Sequence, residues 1–350
     1  MRYAQINSKF VCGIDLHARE MYACVMNQKG EVLLHRNMRT DFDLFKRKIQ
    51  SFLPDLAVGV ESTHMYYWLA DACKEQGIPF FLGHAYYMKT IHGGKTKTDR
   101  LDSRKIADLM RTNYYPLAHA YPKEMRGTRD LLRRRHRFSR LRAECYRHIQ
   151  SLFHQQGISI NSNEVKSVKT RRELIQNHLD NDIYLSAQAD LDMMDFLDPK
   201  IKQLEQQIRA QAKSHDRASL NILLSVPGIG DVFSLVILYE VCDINRFQSH
   251  QHFCSYARLV KCERSSAGKH TKGGNQKIGN PYLKWAIADI IIHAAHKSQV
   301  IGEYYQKLQS RFGKRKAKSI ISHKFGIAIY YMLKNKQVFD EKRFVQTNMK

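Results

Sequence analysis

Two short apolar runs near the start of the chain each end in an acid: Phe10-Val11-Cys12-Gly13-Ile14-Asp15 and Leu56-Ala57-Val58-Gly59-Val60-Glu61. Runs of this length, bounded by turn residues and too short for a helix, predict buried strands. Between them Tyr22 to Met26 predicts a second strand, Asn27-Gln28-Lys29-Gly30 a turn and Val32 to Leu34 a third strand. Asp41 opens a helix whose apolar Phe42, Phe45 and Ile49 recur at helical spacing. After Glu61 the pattern gives a helix through Trp68 and Cys73, a strand from Ile78 to Leu82 and a helix from Asp99 to Thr112. Three hairpin-linked strands, then helix, strand, helix, strand and helix, is the element order of an α/β RNase H-like fold.

In that order the first and fourth strands are neighbours, so Asp15 and Glu61 face each other across one strand spacing. Asp99 and Asp102 stand three apart on a helix and share a face that can complete a ring of carboxylates. Like charges held that close raise one another's pKa unless a cation neutralises them. Mg²⁺ does so through oxygen ligands and binds phosphate as well. Taken singly, Asp15 reads equally as a turn former and Asp99 as a helix N-cap; the set as a whole argues for metal chemistry. His17 and His64 follow the two strand acids closely. They read as ordinary surface or packing histidines, with support of the metal ligands as the alternative.

The charge of the chain says what such a site acts on. Fifty-seven Lys and Arg against 33 Asp and Glu leave a net +24. This excess is self-repelling until a polyanion offsets it, which points to nucleic acid. The basic residues are spread along the chain, not gathered on one amphipathic helix, which argues against a membrane surface. No apolar run is long enough to span a bilayer, and the first ten residues carry no signal-peptide core. Seven cysteines without a Cys-x-x-Cys pair predict a reducing, cytosolic setting and no zinc ribbon. His293 and His296 at helical spacing read as a helix face, since no second pair of ligand types stands near.

The candidate nucleic-acid contacts follow this distribution. Lys95, Lys97 and Arg100 flank the helical acids and suit phosphate positioning. Lys123 to Gln150 reads as a helix holding ten basic and three acidic residues, and Arg133, Arg134, Arg135, Arg137 and Arg140 are its densest stretch. Further on, Met194, Leu197, Ile201, Leu204 and Ile208 form a short coiled-coil seam, or a stripe packed on the parent domain. Val226-Pro227-Gly228-Ile229-Gly230 between two helices resembles a helix-hairpin-helix, whose Gly228 and Gly230 let backbone amides approach a phosphate. Ser265-Ser266-Ala267-Gly268-Lys269 begins a Gly/Lys-rich stretch in which Lys269, His270 and Lys272 supply positive charge. By itself this stretch reads as a polar loop more than as a nucleophile.

Taken in order, Gly-Ile-Asp (13–15), Val-Glu-Ser-Thr (60–63), Lys-Thr-Asp-Arg-Leu-Asp (97–102), Val-Pro-Gly-Ile-Gly (226–230), Ser-Ser-Ala-Gly-Lys (265–269) and Gly-Asn-Pro-Tyr-Leu (279–283) resemble the DEDD transposases and recombinases of the IS-one-ten insertion-sequence family, which includes Piv-type invertases and bridge-RNA-guided recombinases. The resemblance implies a RuvC-like DEDD domain over residues 1–120, a basic helical, coiled-coil connector over 121–215 and a mainly α transposase domain over 216–350. It implies Asp15, Glu61, Asp99 and Asp102 as Mg²⁺ ligands and Ser266 as a nucleophile that forms a phosphoserine link to DNA. Ser266 is preferred over Ser265 because it directly precedes the small pair Ala267-Gly268, where the family carries Ser-Gly-Gly. The implied partners are donor and target DNA, a bridge RNA and further copies of the chain as a dimer or tetramer, with the seam at Met194 to Ile208 as the contact and no membrane; the implied location is the bacterial cytoplasm, at the nucleoid. Two rival readings are a RuvC or RNase H-like nuclease using water as the nucleophile, and a non-catalytic nucleic-acid binder.

Overall fold

The computed structural model describes residues 2–91, 98–261, 264–266, 269–271 and 278–346. The chain divides into two compact units, Met1–Glu124 and Met125–Lys350. The sequence suggested boundaries at 120 and 215; the division falls once, between Glu124 and Met125.

The first unit is built on a mixed sheet of β1 (Phe10–Leu16), β2 (Glu20–Asn27), β3 (Val32–Arg39), β4 (Leu56–Glu61) and β5 (Phe80–Gly83), in the order β3-β2-β1-β4-β5. β1 runs antiparallel to β2 and parallel to β4, and β4 runs parallel to β5. A strand central to such a sheet is buried on both faces and needs a continuous apolar run. Val11, Cys12 and Ile14 of β1 meet that need and are inaccessible to solvent. One face packs Cys12, Ile14, Val58 and Val60 against α1 (Phe42–Ile49) and α2 (Tyr67–Glu75). The sequence did not reveal α3 (Ala85–Ile91), which precedes α4 (Asp99–Arg111). The other face packs Val11 and Ala57 against Ile106, Ala107 and Met110 of α4. This mixed sheet with a helix on either face is compatible with the RNase H-like order.

Among the described residues, the second unit is helical apart from one small strand pair. α5 (Lys123–Gln155) runs into α6 (Ser162–Lys166), α7 (Arg171–His178) and α8 (Asn181–His215). Thr128 meets Gln211, Arg135 meets Glu205, Arg142 meets Asp198 and His148 meets Asp190. Partners descend along α8 as they ascend along α5, so the two long helices are antiparallel. Met194 is buried against Ile149 and Phe153 of α5 and Ile175 of α7, and Ile208 is buried in the core that contains Leu132. The stripe read as a seam therefore packs within its own chain. Among the described residues, the large apolar side chains that α8 leaves exposed are Leu185, Met193 and Phe196.

A helical core follows from α9 (Arg217–Leu224), α10 (Asp231–Val241), α11 (His250–Tyr256), α12 (Pro281–Lys297), α13 (Gln299–Phe312), α14 (Lys314–Asn335) and α15 (Glu341–Gln346). Within the stretch read as a polar loop, β6 (Arg264–Ser266) pairs antiparallel with β7 (Lys269–Thr271). The buried Glu240 of α10 ties this unit together: it accepts from Arg129 and Arg133 of α5, and from Asn280, the residue that caps α12.

Candidate active site

The register of the sheet sets the first two acids side by side. Ile14 pairs with Val60, and Asp15 and Glu61 are the next residues on these parallel neighbours. Ile14 and Val60 point into the core beneath α1 and α2. Strand alternation then turns Asp15 and Glu61 to the opposite face, where α4 packs. Gly13 makes that packing close: a Cβ there would lie 2.3 Å from the Ala107 nitrogen and 2.4 Å from the Ser103 carbonyl oxygen. The absence of a side chain lets the backbone of α4 rest on β1.

The start of α4 brings the helical acids. Its N-cap is Thr98, which accepts from the Leu101 amide at 3.2 Å, so Asp99 is the first helical residue and its carboxylate is not used as the cap. Asp99 and Asp102 occupy the first turn, where the positive end of the helix dipole favours acids. From the edge strand β3, His35 Nε2 lies 2.9 Å from the Arg100 carbonyl oxygen and 3.2 Å from Ser103 Oγ, pinning this turn to the sheet.

The groups that converge are Asp15, His17 and Asp99, whose candidate ligand atoms lie within 4.8 Å of one another. His17 Nε2 lies 3.4 Å from Asp15 Oδ2 and 3.6 Å from Asp99 Oδ1. Burial pushes the Asp15 carboxyl above its ordinary value; His17 pulls it down, and the charges of Asp99 and Asp102 push it up again. Asp102 is thus close enough to be felt at Asp15, and it pairs with Lys105 at 3.6 Å. Glu61 is felt at Tyr115, whose hydroxyl is pushed well up by burial and then by the Glu61 charge, and which donates to the Val60 carbonyl at 2.8 Å. Glu61 and Asp102 stand outside the tight group, on the same side of the sheet. Crowded carboxylates, one of them half-buried and raised first by that burial and then by the acids beside it, fit a hard divalent cation.

The sequence favoured a packing or surface role for His17. The signal that would have found it is its spacing: two residues beyond Asp15 along an extended strand is the same face. His64 is exposed and is not part of the group.

The basic candidates separate by what they touch. Arg133 grips Glu240 with Nε at 2.7 Å and Nη2 at 3.0 Å, and lies over the Tyr282 ring at 4.5 Å. Arg135 holds Glu205 at 2.7 and 2.9 Å. Arg134, Arg137 and Arg140 are exposed on the outer side of α5, and Arg100 is exposed on α4. Gly228 has φ +80, and a Cβ there would lie 2.4 Å from the Ala294 nitrogen, so α12 as well as the turn requires a glycine. Gly230 is the N-cap of α10 and has open space around it. Ser265 and Ser266 end β6, and Lys269 opens β7 opposite Ser266. Lys95, Lys97 and Lys272 lie outside the described residues. Among the described residues, no helix is long and apolar enough to cross a membrane.

Comparison with known proteins adds to this geometry. A transposase model of the DEDD, IS110 type matches residues 12–157, and the model of the transposase IS116/IS110/IS902 family matches residues 220–306. The transposase for insertion sequence element IS1111A of Coxiella burnetii is 20% identical over 354 residues, covering 94% of this chain and 91% of that protein. A probable family 20 transposase of Pseudomonas aeruginosa is 29% identical over 104 residues, covering 30% of this chain and 29% of that protein.

Proposed function

The chain belongs to the IS116/IS110/IS902 family of transposases, and on that premise we propose that it recombines the DNA of an insertion sequence by Mg²⁺-dependent strand cleavage and exchange through a phosphoserine. The observation that carries the reading is the convergence of Asp15 and Asp99 from separate elements. Asp15, Glu61, Asp99 and Asp102 are the residues that would hold Mg²⁺. When bound, Mg²⁺ supplies charge neutralisation and polarises the phosphate under attack.

Ser266 is the proposed nucleophile. Its Oγ forms a bond to phosphorus as one backbone P–O bond breaks, and the leaving deoxyribose oxygen takes up a proton. Attack by a deoxyribose hydroxyl of the new partner strand reverses the step, so strands exchange without ATP. The acids belong to the first unit and the serine to the second. The proposed reaction uses both, from one subunit or from two, and a dimer or tetramer is the proposed assembly. Because Met194 and Ile208 are buried within the chain, the exposed Leu185, Met193 and Phe196 replace them as the proposed contact.

A bridge RNA would choose the donor and target DNA by base pairing, with basic surfaces gripping backbones. The exposed Arg134, Arg137 and Arg140 support such a grip, together with Arg100, Lys95, Lys97, Lys269 and Lys272. The proposed place of action is the bacterial cytoplasm, at the nucleoid.

A second reading is a RuvC-like nuclease using water, for which the acidic group within the first unit would suffice without the serine. Incubation with Mg²⁺, DNA and co-purified RNA separates the two. A protease-sensitive covalent DNA adduct that disappears in Ser266→Ala is expected. Cleavage that survives this substitution, with no adduct in the parent protein, would establish water as the nucleophile.

A further inference from the structure

The second unit contains a cavity of about 330 Å³ that the catalytic reading does not use, lined in part by Phe233, Trp285, His293, Arg209 and Asp231. This volume lies at the lower end of the range for small-molecule sites, roughly 300–1,000 Å³. A volume of this size takes one nucleotide rather than a stretch of duplex.

Resting on the nucleic-acid reading above, we propose that this cavity receives one unpaired nucleobase of a single-stranded segment, DNA or RNA, stacked on Trp285. The indole is held in place by its neighbours. Phe233 meets it edge-on with ring centres 5.4 Å apart and planes at 60°, and His136 packs on it at 4.1 Å and 53°. Trp285 is nonetheless only partly buried. A fixed, accessible indole loses little freedom on stacking, and every base has a face to offer it.

The polar wall matches the rest of a nucleotide. Arg209 Nε lies 3.0 Å from Asp231 Oδ2, and both side chains are about half exposed, at 50% and 44%. The guanidinium carries further N–H donors for a phosphate or a base carbonyl, and the carboxylate can accept from an exocyclic amine. Arg135, also on the wall, is held in position by Glu205. The Gly228–Gly230 turn borders the same cavity, so a strand gripped there has its next base within reach.

The chain has two tryptophans, Trp68 and Trp285, so Trp68→Phe leaves Trp285 as the only indole reporter in the full-length protein. Its emission is followed while single-stranded DNA, single-stranded RNA or duplex DNA is added, with fluorescence anisotropy of labelled strands recording binding. Quenching by a single strand and not by bound duplex is expected, and the quenching strand identifies the source as DNA or RNA. Trp285→Ala should weaken single-strand binding by roughly tenfold and leave duplex binding unchanged. Trp285→Phe, which keeps the packing on Phe233, should retain most of the affinity and carries the test should the alanine variant not fold. Single-strand binding with silent Trp285 emission, or quenching by duplex as well, would overturn the nucleobase site while leaving the recombinase reading intact. Failure to bind any nucleic acid would overturn both.

Discussion

Gly13 on β1 and Ala107 on α4 are in backbone contact: a Cβ on the glycine would fall 2.3 Å from the Ala107 nitrogen. That contact sets the height of α4 above the sheet, and with it the distance from Asp99 and Asp102 to Asp15. Gly13→Ala must push a helix backbone, not the tip of a flexible side chain. A loss of about 3 kcal/mol is expected, the upper end for overpacking. Thermal melting with and without Mg²⁺ or Mn²⁺ should show a lowered midpoint and a weakened response to metal.

The imidazole of His17 stands between two acids proposed to hold Mg²⁺, 3.4 Å from one and 3.6 Å from the other. His17→Ala should reduce metal affinity by roughly 10–100-fold, as for other groups that orient metal ligands. Asp15→Asn should abolish the metal response and strand cleavage, while the metal-free protein melts no lower than the parent, since a carboxylate disfavoured by burial has been removed. Calorimetric titration with Mn²⁺, beside metal-free melting, tests both. An unchanged Mn²⁺ affinity in Asp15→Asn would end the metal assignment.

Neighbouring basic residues on α5 should behave in opposite ways. Arg133 is committed to the buried Glu240, so Arg133→Ala should destabilise the fold by about 3–5 kcal/mol. Arg134, Arg137 and Arg140 are exposed. Replacing all three by alanine should leave the melting midpoint nearly unchanged and flatten the salt dependence of DNA binding, by roughly 0.9 in log–log slope for each phosphate that an arginine no longer neutralises. Binding isotherms at several salt concentrations measure the slope.

Burial opposes ionisation of Glu240, but the hydrogen bond from Arg133, the charges of Arg129 and Arg133 and the hydrogen bond from Asn280 outweigh it, and the carboxyl is held below its ordinary 4.5. A group lowered by folding contributes stability above its unfolded pKa and loses it as pH falls through the folded one. Stability from this cluster should thus be full above about pH 4.5 and decline below it. Glu240→Gln should remove that part of the acid dependence, read from melting midpoints across pH. Because Asn280 caps α12 and donates to Glu240 at 2.7 Å, this variant should also loosen the start of α12.

The first unit was largely legible in the sequence because its strands obey local rules. An apolar run that must be buried on both faces shows itself without reference to any partner, and β4 spans the residues the pattern indicated, Leu56–Glu61. The strand acids were legible for the same reason: each ends such a run. That Asp99 and Asp102 share a helix face able to join them was also legible, but how closely Asp99 comes to Asp15 was not, because it depends on the backbone contact between Gly13 and α4, which lies far along the chain. Nor was the role of Arg133: it opens the basic run Arg133-Arg134-Arg135-His136-Arg137, and only the return of α10 brings Glu240 beneath it. The stripe from Met194 to Ile208 shows the same limit. Its spacing determined that one face of α8 would be buried, while the antiparallel return from α5 decided that the chain itself would bury it. Periodicity is a property of one segment, whereas the partner that covers a face, or neutralises a charge, is chosen by the path of the whole chain.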